Sequence, residues 1–265
     1  MNEVLKRNNV KLLGEGEQAL VFVHGYGCNQ EMWRFITPAF EKNYQIVLLD
    51  LVGSGSSDIS AYNKGKYDSL KGHAKDVLEI CQELSLDKPI FIGHSVSSMI
   101  GLHAGIQSPG YFDKIIMVGP SPCYLNDGDY KGGFSKSDIL ELIETLESNY
   151  LGWSSAITPA IMGNPDKPEL AEELNNSFCQ TDPAIAKHFA KVTFMGDDRA
   201  YLPQLETETL ILQCSSDIIA PREVGDYLNS KLPNSSLKVL EATGHCPHMS
   251  APEETIEVIN AFLKD

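Results

Sequence analysis

Short apolar runs alternate along this chain with longer stretches in which apolar positions recur every three or four residues. The runs lie at 19–23, 44–50, 89–92, 112–119, 210–214 and 237–241. Continuous apolar runs of this length predict strands buried on both faces. Between them, 70–84 carries Ala74, Val77, Leu78 and Cys81 at helical spacing, and the stretch after Ser95 carries Met99, Ile100 and Leu102. Strand followed by helix, repeated, predicts an α/β fold with a mostly parallel sheet flanked by helices. An early hairpin is expected over 10–17, and a helix over 30–40 with Trp33 and Phe40 in the core. The chain closes with an amphipathic helix begun near Pro252.

The rhythm breaks between Cys123 and Arg199, where helices follow one another with no convincing strand. Ser135 or Ser137 can cap a helix bearing Ile139, Leu142, Ile143 and Leu146. Trp153, Ile157 and Ile161 mark a second, Pro168 opens a third, and Asp182-Pro183 opens a fourth. The division expected is a core of residues 1–122 and 200–265, with 123–199 as a four-helix lid. With the hairpin counted as two strands, this lid is inserted after the sixth strand. Most of its apolar stripes must pack on one another and on the sheet. Its position still lets some of them line a cavity, with Phe134, Trp153 and Phe194 the first candidates and Leu142 and Ile157 next.

Composition narrows the function classes. The chain has 265 residues, 42% of them hydrophobic and 22% charged, as in a globular protein. A formal net charge of −15 disfavours nucleic acid or an anionic membrane as partner, since both need a basic face. The first residues show no apolar signal segment, and no apolar run reaches a membrane span. The six cysteines form no C-x-x-C pair, so reduced thiols in a cytoplasmic protein are expected, with no cofactor and no metal. Nothing points to an oligomer, and a monomer is the expectation.

The candidate chemistry begins at Gly93-His94-Ser95-Val96-Ser97. A strand that turns into a helix at one residue pushes that residue outward, beside the free N–H groups of the helix. Ser95 is thereby a candidate nucleophile, though an ordinary strand-to-helix turn has the same outline. The N–H of Val96 is a candidate oxyanion donor. A second donor is offered by Tyr26, between two glycines in His24-Gly25-Tyr26-Gly27, a loop whose N–H groups can turn inward. The glycine-serine turn after Asp50 lacks the lysine and spacing of a phosphate-binding loop.

Serine needs a base, and the base needs an orienting carboxylate. His245 follows the last strand and Asp217 the one before. His248 competes with His245, but Gly244 favours the latter, leaving His248 to hold the loop by hydrogen bonding. Asp50 is an alternative acid. His103 reads as a helix-face or core histidine. Cys28 and Cys246 read as small buried hydrophobes.

The order Ser95, Asp217, His245 is that of the α/β-hydrolases. Over nearly its whole length the chain resembles RsbQ-type α/β-hydrolases, stress-response regulators of a sigma-factor pathway. It is also similar to the karrikin and strigolactone receptors of plants. The resemblance rests on His24 to Cys28, Asp50 to Asp58, Gly93 to Val96, Val118 to Asp127, Tyr150 to Trp153, Phe178 to Pro183, Leu212 to Cys214, Asp217 to Pro221 and Gly244 to Ser250. It implies a triad of Ser95, Asp217 and His245, oxyanion donors at Tyr26 and Val96, and a V-shaped four-helix lid. Tyr26 and Ile218 join the lid residues as implied ligand contacts. Ser97 stands where the family usually has glycine. The implied activity is hydrolysis of a small hydrophobic ester or lactone. An alternative is a ligand-sensing receptor with slow or single-turnover hydrolysis. A PAS-domain phosphatase is the implied partner.

Overall fold

The computed structural model describes residues 2–264. Seven strands form one sheet: β1 (Lys11–Leu13), β2 (Ala19–Val23), β3 (Gln45–Leu49), β4 (Ile90–His94), β5 (Lys114–Val118), β6 (Glu208–Ser216) and β7 (Ser235–Thr243). Their spatial order is β1-β3-β2-β4-β5-β6-β7, parallel throughout except for β1 against β3. Among the described residues ten α-helices accompany them: α1 (Glu3–Arg7), α2 (Leu70–Glu83), α3 (Val96–Gln107), α4 (Lys136–Ser148), α5 (Tyr150–Met162), α6 (Pro168–Gln180), α7 (Pro183–Phe194), α8 (Arg222–Lys231), α9 (Pro247–Ser250) and α10 (Pro252–Lys264).

Three early expectations need correction. No hairpin forms over 10–17, because β1 pairs with β3 (Lys11 opposite Leu48) and not with the strand that follows it. The insertion therefore follows the fifth strand, not the sixth. Residues 30–40 make two 3-10 turns, Gln30–Trp33 and Thr37–Ala39, where one helix was expected. Pro38 cannot supply the N–H that a continuous helix needs there.

Adjacent residues of the central strands face opposite sides of the sheet, as a pleat requires. Phe22, Ile92, Ile116 and Leu212 pack with Trp33 and with Ile259 and Phe262 of α10. Val21, Phe91, Met117 and Ile211 pack with α2, α3 and α8. The first of these cores continues into the insertion through Ile139, Trp153, Leu174 and Phe178. The chain enters the insertion at Cys123 and leaves it at Asp197, where these residues form an antiparallel bridge. Ser135 caps α4 and forms a capping box with Asp138. Among the described residues no helix is long and apolar enough to cross a membrane.

Candidate active site

β4 ends at His94, and α3 starts at Val96, so Ser95 alone makes the corner. Its φ of 56° and ψ of −124° are strained for a residue with a side chain, a conformation costing on the order of 1–3 kcal/mol. Its N–H donates to the carbonyl of Val118 on β5 at 2.8 Å, which ties the corner to the sheet. A Cβ on Gly93 would lie 2.6 Å from the Ser97 carbonyl oxygen, so only glycine lets α3 sit this close to β4. Ser97, in place of a second glycine, is fully buried and donates its hydroxyl to the His24 carbonyl at 2.5 Å.

Ser95 Oγ lies 2.7 Å from His245 Nε2, and His245 Nδ1 lies 2.6 Å from Asp217 Oδ2. The other Asp217 oxygen accepts the N–H groups of Ile219 at 2.8 Å and Ala220 at 3.2 Å. The carboxylate is therefore fixed by its own turn and presents one oxygen to the imidazole. The peptide of His245 is held at both ends. Its N–H donates to the Ile161 carbonyl of α5, and its carbonyl accepts from His94 Nε2, each at 2.8 Å. Gly244 has φ 82° and packs on the Met162 carbonyl, where a Cβ would collide. The histidine loop thus rests on the end of α5, inside the insertion.

Tyr26 and Val96 flank this corner. Among the described residues no group accepts the Tyr26 N–H. Val96 opens α3, so its N–H has no acceptor within the helix. The Tyr26 side chain reaches the insertion, donating its hydroxyl to the Ala186 carbonyl at 3.0 Å and packing on Phe178, Phe189 and Phe194.

A small apolar cavity lies over Ser95. Tyr26, Leu142, Trp153, Ile157 and Phe194 lie on its wall, together with Ser95 and His245. Phe134 and Ile218 do not. Phe134 pairs with Leu125 in the loop after β5, and Ile218 is 52% exposed to solvent. Val96 is not on the wall either; it is buried in the core on the α3 side of the sheet. Sequence reasoning missed Tyr124, Phe178, Leu174 and Thr193, all on the wall. Tyr124 is the most consequential, with its hydroxyl 3.5 Å from Ser95 Oγ. Burial pushes its pKa up to about 12, so it stays protonated. An aromatic residue in the loop after the neighbouring strand was the available signal. Leu174 and Phe178 sat in a helical stripe that reads equally well as core.

The competing residues are placed elsewhere. Asp50 accepts from Gln30 N, Asn9 Nδ2 and Ser56 N and pairs with no catalytic candidate. His248 does not hold its loop by hydrogen bonds: among the described residues neither ring nitrogen has a partner. It is wedged between Trp33 and His94, with ring centroids 4.5 and 4.6 Å away, and burial pulls its pKa down to about 3. His103 pairs with Asp198 at 2.7 Å. All six cysteines are free. Burial raises the thiol of Cys28 to about 12 and that of Cys246 well above its ordinary value, which leaves both as poor nucleophiles. Among the described residues no cluster of histidine, cysteine and carboxylate could hold a metal ion.

Comparison with known proteins agrees with this architecture. Residues 18–252 match the family model described as the alpha/beta hydrolase fold. The Karrikin insensitive 2 receptor CA of Petunia hybrida is 35% identical over 98% of this chain and 96% of its own length. A strigolactone esterase of Arabidopsis thaliana is 33% identical over 99% and 98%. Among solved structures, a hydrolase from Oleispira antarctica superposes with a TM-score of 0.97 at 42% identity, covering 99% of this chain and 97% of that one.

Proposed function

The chain belongs to the alpha/beta hydrolase family and is an esterase-type hydrolase, and from that premise we propose that it cleaves a small hydrophobic ester or lactone through Ser95. The observation that carries this reading is the unbroken line Asp217–His245–Ser95, at 2.6 and 2.7 Å, opening into an apolar cavity. Asp217 holds a proton on Nδ1 and so leaves Nε2 free to accept one. As Ser95 Oγ bonds to the ester carbonyl carbon, its proton passes to Nε2. The carbonyl oxygen, now an oxyanion, takes the N–H groups of Tyr26 and Val96. Collapse breaks the bond to the alcohol oxygen, which leaves with the proton from His245. Water then repeats the sequence on the acyl-serine, releasing the acid. None of these steps calls for a cofactor. The apolar wall suits an uncharged substrate and keeps bulk water from the acyl-serine.

Residues 123–199 act in this proposal as a lid over a core of 1–122 and 200–265. The bridge between Cys123 and Asp197 at the neck supports that division. A second reading is a ligand sensor with slow or single-turnover hydrolysis. It is favoured by the receptor names of the curated relatives and by the bond between His245 and the end of α5. The resemblance to RsbQ-type regulators supports a signalling role with a PAS-domain phosphatase as partner, which co-purification with such a phosphatase tests.

Treatment with a fluorophosphonate followed by peptide mass spectrometry tests the site. Label on Ser95 is expected, and label elsewhere refutes the assignment. A progress curve with p-nitrophenyl acetate separates the two modes. Many steady turnovers mark an esterase, and one stoichiometric burst marks a sensor.

A further inference from the structure

The segment that carries His245 rests on the turn between α5 and α6. The last carbonyls of a helix have no partner within it, and at the end of α5 other groups supply one. The Ile161 carbonyl takes the His245 N–H at 2.8 Å. The Asn164 amide donates to two carbonyls at once, Met162 at 2.6 Å and Thr243 at 2.9 Å. An amide nitrogen carries two hydrogens, and this one spends a hydrogen on each side of the junction. Thr243 returns the contact, its hydroxyl donating to the Gly163 carbonyl at 3.3 Å. Between these bonds lies Gly244, which has no side chain to anchor it. A Cβ there would stand 3.2 Å from Asn164 Nδ2, so the amide lies close against the glycine. On its other side, the Gly244 N–H donates at 2.8 Å to the carbonyl of Ser216, next to Asp217. The chain just before His245 is therefore held between the aspartate turn and Asn164. Asn164 itself is not on the cavity wall, so its part is not to bind substrate.

We propose that Asn164 is a positioning residue for the base: by fastening the Thr243 carbonyl to the end of α5, it sets where His245 stands between Asp217 and Ser95. The turn after α5 then enters the reaction through proton transfer and not through substrate binding. This inference rests on the reading of Ser95 and His245 as nucleophile and base. Misplacing a reacting group by about 1 Å can cost about 10²-fold in rate, so loss of one anchor among several is expected to cost about tenfold.

The test compares Asn164→Ala and Asn164→Asp, which keeps the shape and loses the donors, with Asn175→Ala. Asn175 is an α6 residue whose partners Ser155 and Cys179 both lie in the insertion. With p-nitrophenyl acetate, the saturating rate per fluorophosphonate-titrated site should fall about tenfold in both Asn164 variants, with the half-saturating concentration within about twofold of wild type. Asn175→Ala should match wild type. An unchanged rate, an equal fall in all three variants, or a change confined to the half-saturating concentration overturns the inference. In a His245→Ala background Asn164→Ala should cost nothing further, and a second tenfold loss there overturns it, because a positioning effect vanishes with the group it positions. A readout free of turnover is the downfield proton resonance of His245 Nδ1–H, held by Asp217 at 2.6 Å and identified by its loss in His245→Ala. It should move or broaden in both Asn164 variants and stay in Asn175→Ala; an unmoved resonance overturns the inference. A wild type that neither hydrolyses the ester nor takes the label refutes the Ser95 reading instead, and the resonance then decides Asn164 alone. If neither variant folds, Asn164→Gln, with its donors displaced by one methylene, makes the same comparison.

Discussion

At the carboxyl ends of β2 and β3, His24 and Asp50 lie 4.0 Å apart; at the ends of β6 and β7, Asp217 and His245 lie 2.6 Å apart. Both pairs are buried, and both sit on the same edge of the sheet. In the first, every partner is structural. His24 donates from Nδ1 to the Gly25 carbonyl and accepts the Leu51 N–H at Nε2. Asp50 spends its oxygens on Gln30, Asn9 and Ser56. In the second, the aspartate keeps one oxygen for the histidine, and the histidine keeps one nitrogen for a hydroxyl. A histidine–aspartate pair becomes a base only when one nitrogen remains to be spent on a reacting group. The first corner is a knot tying loops together, and the second is the proposed machine.

Replacing members of each pair should divide activity from stability. Asp217→Asn is expected to lower kcat by about 10⁴-fold, through the wrong imidazole tautomer, with the urea midpoint nearly unmoved. Ser95→Ala should abolish the fluorophosphonate label and reduce ester hydrolysis by at least as much. A small loss of rate in either variant would break the contrast.

Asp50→Ala should do the reverse. It strands the Gln30 and Ser56 N–H groups and the Asn9 amide, costing about 3 kcal/mol at the low end of the range for lost buried partners. Chemical denaturation reads that loss, and kcat of the folded fraction should stay within about threefold of wild type.

Acid should find the histidines that serve packing. Burial holds His73 and His248 at about 3 and also lowers His24. Each is neutral in the fold but takes a proton in the unfolded chain below about pH 6.5. Their contribution is complete above that pH and is lost as pH falls toward the folded value. By pH 5 the cost is about 2 kcal/mol for each of His73 and His248. Urea midpoints at pH 7.5 and 5.0 should show this, and His248→Phe should flatten part of the slope.

The smallest effect is expected at Ser97. Ser97→Gly removes the bond to the His24 carbonyl and adds helix flexibility, for about 1–2 kcal/mol of stability. The rate should hold, since Ser97 is fully buried beneath the corner and is not on the cavity wall.

The apolar runs and the helical spacing determined the layers, the parallel sheet and the four inserted helices, because burial on two faces or one leaves a periodic mark. The corner at Ser95 and the loops carrying Asp217 and His245 were legible for the same reason: each follows the end of a strand. What the chain order could not contain was which distant groups meet. The pairing of β1 with β3, the isolation of His248 from any hydrogen bond among the described residues, and the exposure of Ile218 depend on contacts between segments far apart in sequence. So does the identity of the cavity wall. Phe134 and Phe178 are both aromatic residues of the inserted region, and only packing placed one outside the chamber and the other on its wall. Local pattern sets which face of an element is apolar, whereas the partner of that face is chosen by the whole fold at once.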